Sequence, residues 1–249
     1  SWICNFKSEL IEPEYIVGIT NWLKNPLQNP PELPKYVDFE KAIRLVRRIP
    51  NIYWDNLIIM YKKYQEVLIQ NNSMDFESLI SETIYMLLEN NELLGKYQER
   101  FKYIIVDEYQ DTNHSQYILT KILAAKYRNI AVVGDDAQSI YAFRNADIRN
   151  ILNFEQDYPE ALVVKLEQNY RSTSNILDIA NTVIANNKNQ MKKELWTNLG
   201  EGHPVKYQVY NNTIQEAEEI VKRIVTLVHL GQYDYSDFTI LYRINSQSR

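Results

Sequence analysis

A single cysteine, Cys4, stands in 249 residues. That excludes an internal disulfide framework and a cysteine-based zinc site, and it fits a reducing, cytoplasmic compartment. No run of about eighteen apolar residues occurs, so no transmembrane helix is expected. Glycine is scarce as well, with six in the chain. Only Gly95 directly precedes a lysine, and Tyr97 follows Lys96. The chain therefore contains no Gly-x-x-x-x-Gly-Lys-Ser/Thr, the loop whose backbone amides and lysine cradle nucleotide phosphates. Positive charge is not in excess either. With 27 basic and 32 acidic residues the net charge is -5, so a nucleic-acid surface has to be local rather than global.

What is present is ordinary for a globular chain, 45% hydrophobic and 24% charged, and long enough for one large domain or two small ones. Ser1-Trp2-Ile3-Cys4 reads neither as a signal peptide nor as a natural start, and the last residues follow a strand-like segment. Both ends are expected to lie inside a longer protein.

Two rhythms divide the sequence. The first part reads as helical: residues 38–49 and 53–70 have helical patterns, and residues 25–34, with four of the eight prolines, form a loop. From Asp75, the residues Phe76, Leu79, Ile80, Ile84, Leu87 and Leu88 share one helical face. Beyond Phe101 the pattern alternates. Short apolar runs at 103–106, 130–133, 162–166, 205–209 and 238–242 read as strands. Helical stretches separate them, one carrying Ile118, Leu119, Ile122 and Leu123, others spanning 146–158 and 213–230. A further helix after Arg171, capped by Ser172 or Thr173, is expected to turn Ile176, Ile179, Ala180, Val183 and Ile184 inward. Such alternation predicts an α/β fold with parallel sheet covered on both faces.

Three segments at predicted strand ends carry chemistry. In Val106-Asp107-Glu108-Tyr109-Gln110-Asp111 two carboxylates follow an apolar strand, and open parallel sheets bind ligands at the carboxyl ends of their strands. One carboxylate there can hold magnesium while its neighbour activates a water. The dipeptide alone serves equally as a solvated loop, with a helix cap at Asp111 or Thr112. In Val133-Gly134-Asp135-Asp136-Ala137-Gln138-Ser139-Ile140-Tyr141-Ala142-Phe143-Arg144, Gln138 suits a phosphate oxygen. Tyr141 and Phe143 offer faces on which bases stack, although in a chain with nineteen tyrosines core or interface packing is, in isolation, the better explanation of such aromatics. In Leu166-Glu167-Gln168-Asn169-Tyr170-Arg171-Ser172, Arg171 suits a phosphate in a neighbouring domain, although an arginine at a helix start is on its own usually a surface cation. Lys41, Arg44 and Arg48, with Arg47 beside them, form a basic stripe on a helix. It reads as a solvated face before a nucleic-acid contact.

Together these segments resemble the UvrD/Rep/PcrA family of superfamily 1 DNA helicases. A fourth stretch, Leu241-Tyr242-Arg243 followed by Asn245, Gln247, Ser248 and Arg249, is similar to a later segment of that family. The resemblance runs in order from about Ser73 to Arg249, with a looser match before it. It implies partial P-loop NTPase (RecA-like) sheets with flanking helices and an N-terminal helical segment. The expected division is 1–72 for part of a helical insertion, 73–160 for the end of the first RecA-like domain, and 161–249 for the start of the second.

The resemblance also implies roles. Asp107 would bind Mg2+ and Glu108 would activate the hydrolytic water. Gln138 would contact the γ-phosphate of ATP. Tyr170 would stack on the adenine, with Arg171 as arginine finger. Tyr141, Phe143 and Arg144, with Arg243 and Asn245, would meet single-stranded DNA. Implied partners are single-stranded DNA, duplex junctions and repair or replication proteins, at the nucleoid. Two positions depart from the family pattern: Phe143 stands where tryptophan is usual, and Asn145 where glycine is usual, which makes the backbone turn there the point to inspect. Without a P-loop the isolated chain is expected to be inactive. The alternatives are the motor of a RecB- or AddA-like helicase-nuclease, and a non-hydrolysing module that binds single-stranded DNA or protein.

Overall fold

The computed structural model describes residues 2–188 and 190–244. Its first layer is helical. Helix α1 (Trp2–Ser8) turns through Leu10 into α2 (Pro13–Lys24), which opens on a proline where a missing N–H costs nothing. The proline-rich loop follows as predicted. Helix α3 (Phe39–Arg47) is capped by Asp38, whose carboxylate accepts the Lys41 N–H at 3.0 Å. Helix α4 (Trp54–Gln70) is anchored by the Trp54 indole, which donates to the carbonyl of Ile49 at 2.9 Å. Phe6, Ile11, Ile16, Ile19, Ala42, Val46 and Tyr61 form the fully buried centre of this layer. Each large aliphatic there contributes about 1.5–3 kcal/mol by leaving water.

Helix α5 (Phe76–Glu89) is capped by Asp75, which accepts the Ser78 N–H at 2.8 Å. Its buried face differs from the predicted one. Ser78, Ser81, Ile84 and Leu87 face inward, while Phe76 stands 86% exposed. The reason is Lys7, whose buried ammonium donates to Asp75 at 2.9 Å and Ser78 at 2.7 Å, so a polar stripe packs on α1. Leu10, Ile84 and Ile118 then join the N-terminal helices to the rest. Helix α6 (Asn91–Arg100) leads into strand β1 (Ile104–Val106). Helix α7 (His114–Ala124) carries the chain to strand β2 (Ile130–Val132), parallel to β1 with Ile104 opposite Ile130 and Val106 opposite Val132. The cap of α7 is Asn113, in a capping box with Gln116, rather than Asp111 or Thr112, because residues Tyr109–Asp111 first make a turn of 3-10 helix.

The helix predicted over 146–158 is two short ones, α8 (Arg149–Leu152) and α9 (Phe154–Asp157), broken at Asn153. The break swings Phe154 and Tyr158 onto Tyr109, with ring centroids 4.8 Å apart for Phe154–Tyr158 and 5.8 Å for Tyr109–Phe154. Helices α10 (Ser174–Ile184) and α11 (Thr213–His229) occur where expected. The three remaining predicted strands do not form ladders among the described residues. An isolated parallel bridge joins Gln168 to Trp196, and Leu162, Tyr207 and Leu241 are 87%, 92% and 90% exposed. Their apolar pattern specifies extended backbone, but a ladder also needs a neighbouring strand to exchange hydrogen bonds. Helix α10 accordingly buries Leu177, while Ile176, Ile179, Ala180 and Val183 of the predicted inner face are exposed.

The chain separates into two compact units. One extends through Glu167 and includes Thr182–Glu194; the other consists of Gln168–Asn181 and the described residues from Leu195 onward. Among the described residues no helix is long and apolar enough to cross a membrane.

Candidate functional site

The ends of β1 and β2 are drawn together beyond the paired strands. The Val133 N–H donates to Val106 at 2.8 Å, and the Tyr109 N–H donates to Val133 at 2.9 Å. Gly134 follows, at a point where an added Cβ would fall 2.5 Å from the Gln110 Oε1 and 3.1 Å from the Tyr109 nitrogen. Only glycine allows that approach. Asp107 and Glu108 emerge exposed at the end of β1. Asp107 Oδ1 accepts the Glu108 N–H at 2.9 Å. Glu108 takes a left-handed conformation, φ 50 and ψ 43, which costs a residue with a side chain about 1 kcal/mol or more.

Gln110, 1% exposed, ties the acidic pair to the second loop. Its amide nitrogen donates to Glu108 Oε2 at 2.8 Å, and its amide oxygen accepts the Asp135 N–H at 2.9 Å. Asp135 in turn accepts the Gln138 side-chain amide at 2.9 Å. A continuous path thus runs Glu108, Gln110, Asp135, Gln138. Burial pushes the Asp135 carboxyl up, but hydrogen bonds from Lys193 and Gln138 outweigh it and hold the group below its ordinary value. Burial and the nearby Glu108 charge raise Asp111, whose Oδ1 is buried without a partner among the described residues. Gln110 lay within a recognised segment, yet its polarity gave no sign that it bridges two loops. Lys193 carried no signal at all, because its partners are 57 and 58 residues away.

Just past Gln138 the structure gathers Tyr141, Phe143 and Arg144. The two rings lie 5.8 Å apart, and the Arg144 guanidinium sits 5.3 Å and 5.6 Å from their centroids. Phe143 is 71% exposed, so it is not a core aromatic. Asn145 ends this turn in the left-handed region at φ 65 and ψ 17. Asparagine tolerates that region better than other residues with a side chain, and its amide also reaches Asn5 Oδ1 at 3.1 Å. The conformation glycine would supply is therefore kept.

Tyr170 and Arg171 belong to the other unit. Both are exposed, the Tyr170 hydroxyl donates to Gln168 Oε1 at 2.9 Å, and Asn169 Oδ1 accepts the backbone N–H groups of Arg171 and Ser172 at 2.9 and 2.8 Å. Arg243 is exposed. Asn245, with Gln247, Ser248 and Arg249, lies outside the described residues.

The basic stripe on α3 does not form. Lys41 turns inward, pairing with Glu9 at 2.6 Å and Asp147 at 3.0 Å, while Arg44, Arg47 and Arg48 remain exposed. Asp147 also binds Arg149 at 2.6 Å, so this network ties α1 and α3 to the loop that follows the Tyr141 cluster. Burial raises the Glu9 carboxyl to about 7 despite Lys41, and its Oε2 has no partner among the described residues. A raised folded-state value means that the folded protein holds the proton more tightly, so stability falls as pH rises from about 4.5 through about 7. Glu9→Gln should remove that slope, which amounts to on the order of 3 kcal/mol across the window. Denaturant unfolding at several pH values checks it, and parallel slopes for the two proteins would refute it.

A family model described as the UvrD/REP helicase N-terminal domain matches residues 4–159, and one described as the UvrD-like helicase C-terminal domain matches residues 164–249. The chain belongs to the UvrD/Rep helicase family. Among its curated relatives, proteins named ATP-dependent DNA helicase PcrA from Staphylococcus epidermidis and Bacillus subtilis are each 44% identical over 246 residues, and one from Leuconostoc citreum is 41% identical over 245. Each match covers 98% of this chain and 31–32% of the relative. The chain thus spans about a third of the length of the UvrD/Rep proteins it matches. Residues 182–194 fall in the stretch matched as the C-terminal helicase domain, yet they pack into the unit built mainly from the N-terminal one.

Proposed function

We propose that this chain is part of an ATP-dependent DNA helicase motor, in which hydrolysis drives 3′-to-5′ translocation on single-stranded DNA and duplex separation in repair or replication. The hydrogen-bonded path from Glu108 through Gln110 and Asp135 to Gln138 carries this reading. It joins a water-activating carboxylate to a phosphate-sensing amide, and the sensor loop continues directly into the Tyr141–Phe143–Arg144 cluster. In this reading β1 and β2 are neighbouring strands of a RecA-like sheet. Residues 1–72 belong to a helical insertion, 73–160 to the first RecA-like domain and 161–249 to the second, and the protein works in the cytoplasm at the nucleoid.

The acidic pair fits a magnesium nucleotide. Asp107 is exposed, its Oδ1 accepts the Glu108 N–H, and a carboxylate is a suitable donor for a hard cation. Magnesium, when bound, supplies Lewis-acid stabilisation of phosphate oxygens. Glu108 then accepts a proton from the attacking water. Gln138 exchanges its bond to Asp135 for one to the γ-phosphate. Tyr170 stacks on the adenine and Arg171 neutralises charge in the transition state. Tyr141, Phe143 and Arg144, with Arg243 and Asn245, hold single-stranded DNA by stacking and by phosphate contact.

A chain of the relatives' full length, carrying both this segment and a P-loop, should hydrolyse ATP faster with single-stranded DNA and unwind a duplex with a 3′ tail. The 249-residue chain by itself should release no phosphate above buffer. DNA-independent turnover in the long chain would refute the motor reading. Release by the short chain that Glu108→Gln abolishes would refute its dependence on a P-loop supplied from elsewhere.

A further inference from the structure

Two adjacent carboxylates underlie the sensor loop, and one cation answers both. Asp136 is 6% exposed and accepts the Met191 N–H at 2.6 Å. The Lys193 ammonium lies 3.3 Å from Asp136 and pairs more closely with Asp135. Asp135 Oδ1 accepts Lys193 and the Ala137 N–H, while Oδ2 accepts the Gln138 side chain. The lysine and the sensing amide therefore share one carboxylate.

We infer that Lys193 is a positioning residue for the phosphate sensor: it compensates Asp135 and Asp136, so that Gln138 can leave Asp135 for an incoming phosphate. The inference rests on the nucleotide-sensing role proposed for Gln138. Without the cation, two carboxylates would confront the phosphate, and an uncompensated Asp135 would hold the Gln138 amide more tightly, since hydrogen bonds to a bare charge are the stronger kind. ADP carries no γ-phosphate to recruit Gln138, and so should not register the change. The lysine lies in the stretch matched as the C-terminal helicase domain, whereas both carboxylates lie in the N-terminal one. The sensor is thus adjusted by a residue from the second domain's sequence.

The test is equilibrium binding of a fluorescent non-hydrolysable ATP analogue and of ADP to a chain of the relatives' full length. Lys193→Met should weaken the ATP analogue about tenfold and leave ADP within twofold, and Lys193→Arg should restore the analogue. Asp136→Asn, which keeps an oxygen to accept the Met191 N–H, should tighten the analogue and offset part of the loss in the double variant. Equal weakening of both nucleotides would indicate a merely structural lysine and overturn the inference. Unchanged analogue binding in Lys193→Met would overturn it too. If Lys193→Met does not fold, Asp136→Asn alone decides: tighter analogue binding supports the inference, and no change refutes it. Gln138→Ala separates the premise from the inference. Should that variant bind the analogue as well as the parent does, the sensing role itself is wrong and this inference falls with it.

Discussion

Glu108→Gln in a full-length chain should slow ATP hydrolysis by about a thousandfold while leaving ATP affinity within a few-fold, the effect expected when a positioned general base is lost. The substitution is nearly isosteric. A glutamine carbonyl can still accept the Gln110 amide that now reaches Glu108 Oε2 at 2.8 Å, so the path to Asp135 survives and the loss reports the carboxylate's chemistry. The left-handed backbone at Glu108 supports the same assignment. Strain of this kind persists only where the surroundings hold it, and the neighbouring Tyr109 N–H is held by Val133. Single-turnover hydrolysis with pre-bound ATP is the measurement. A fall of less than tenfold would move the base to another residue, and Asp111, raised by burial beside Glu108, would be the next to test.

Arg171→Ala should be of similar size, about a thousandfold in turnover, because arginine fingers supply roughly 10³–10⁵ in rate. Its backbone is prepared for reach: Asn169 fixes the N–H groups of Arg171 and Ser172, and the guanidinium is exposed at the approach to α10. Arg171→Lys should recover little, since an ammonium cannot present the planar fork that fits phosphate oxygens. DNA affinity in the absence of nucleotide should be unchanged. Turnover equal to the parent's would remove Arg171 from the chemistry. Weakened binding of ATP and ADP alike, with no separate loss of rate, would instead make it a binding residue.

The legible parts of this protein were those specified locally. The runs that became β1 and β2 were visible from their apolar composition, although the expected cover on both faces is not met, since Ile105 and Ala131 stand exposed; Asp75 announced its helix because a cap acts three residues away. The turn at Asn145 was legible as a departure from the family pattern, and it adopts the conformation that departure called into question. What escaped was whatever depends on distant partners. The inner face of α5 was misjudged because Lys7 reaches it from 71 residues away and makes serine the better packer. Lys41 looked like surface charge until Glu9 and Asp147 closed on it from separate elements. The runs at 162–166, 205–209 and 238–242 have a strand's composition but no ladder partner among the described residues. Among the candidate residues, Glu108 and Gln138 could be singled out one by one, whereas the buried Gln110 that links Glu108 to Asp135, and so to Gln138, could not.

The interleaving of residues 182–194 with the first compact unit bears on how such a chain can change over generations. Met191 and Lys193 satisfy a nearly buried carboxylate that lies more than fifty residues upstream. Recombination between relatives anywhere from Ala137 to Gln190 would bring in one side of this arrangement without its counterpart. Asp136 and Lys193 are therefore coupled, and replacing either side alone separates an ion pair. The stretches matched by the two family models are thus tied together by this one contact.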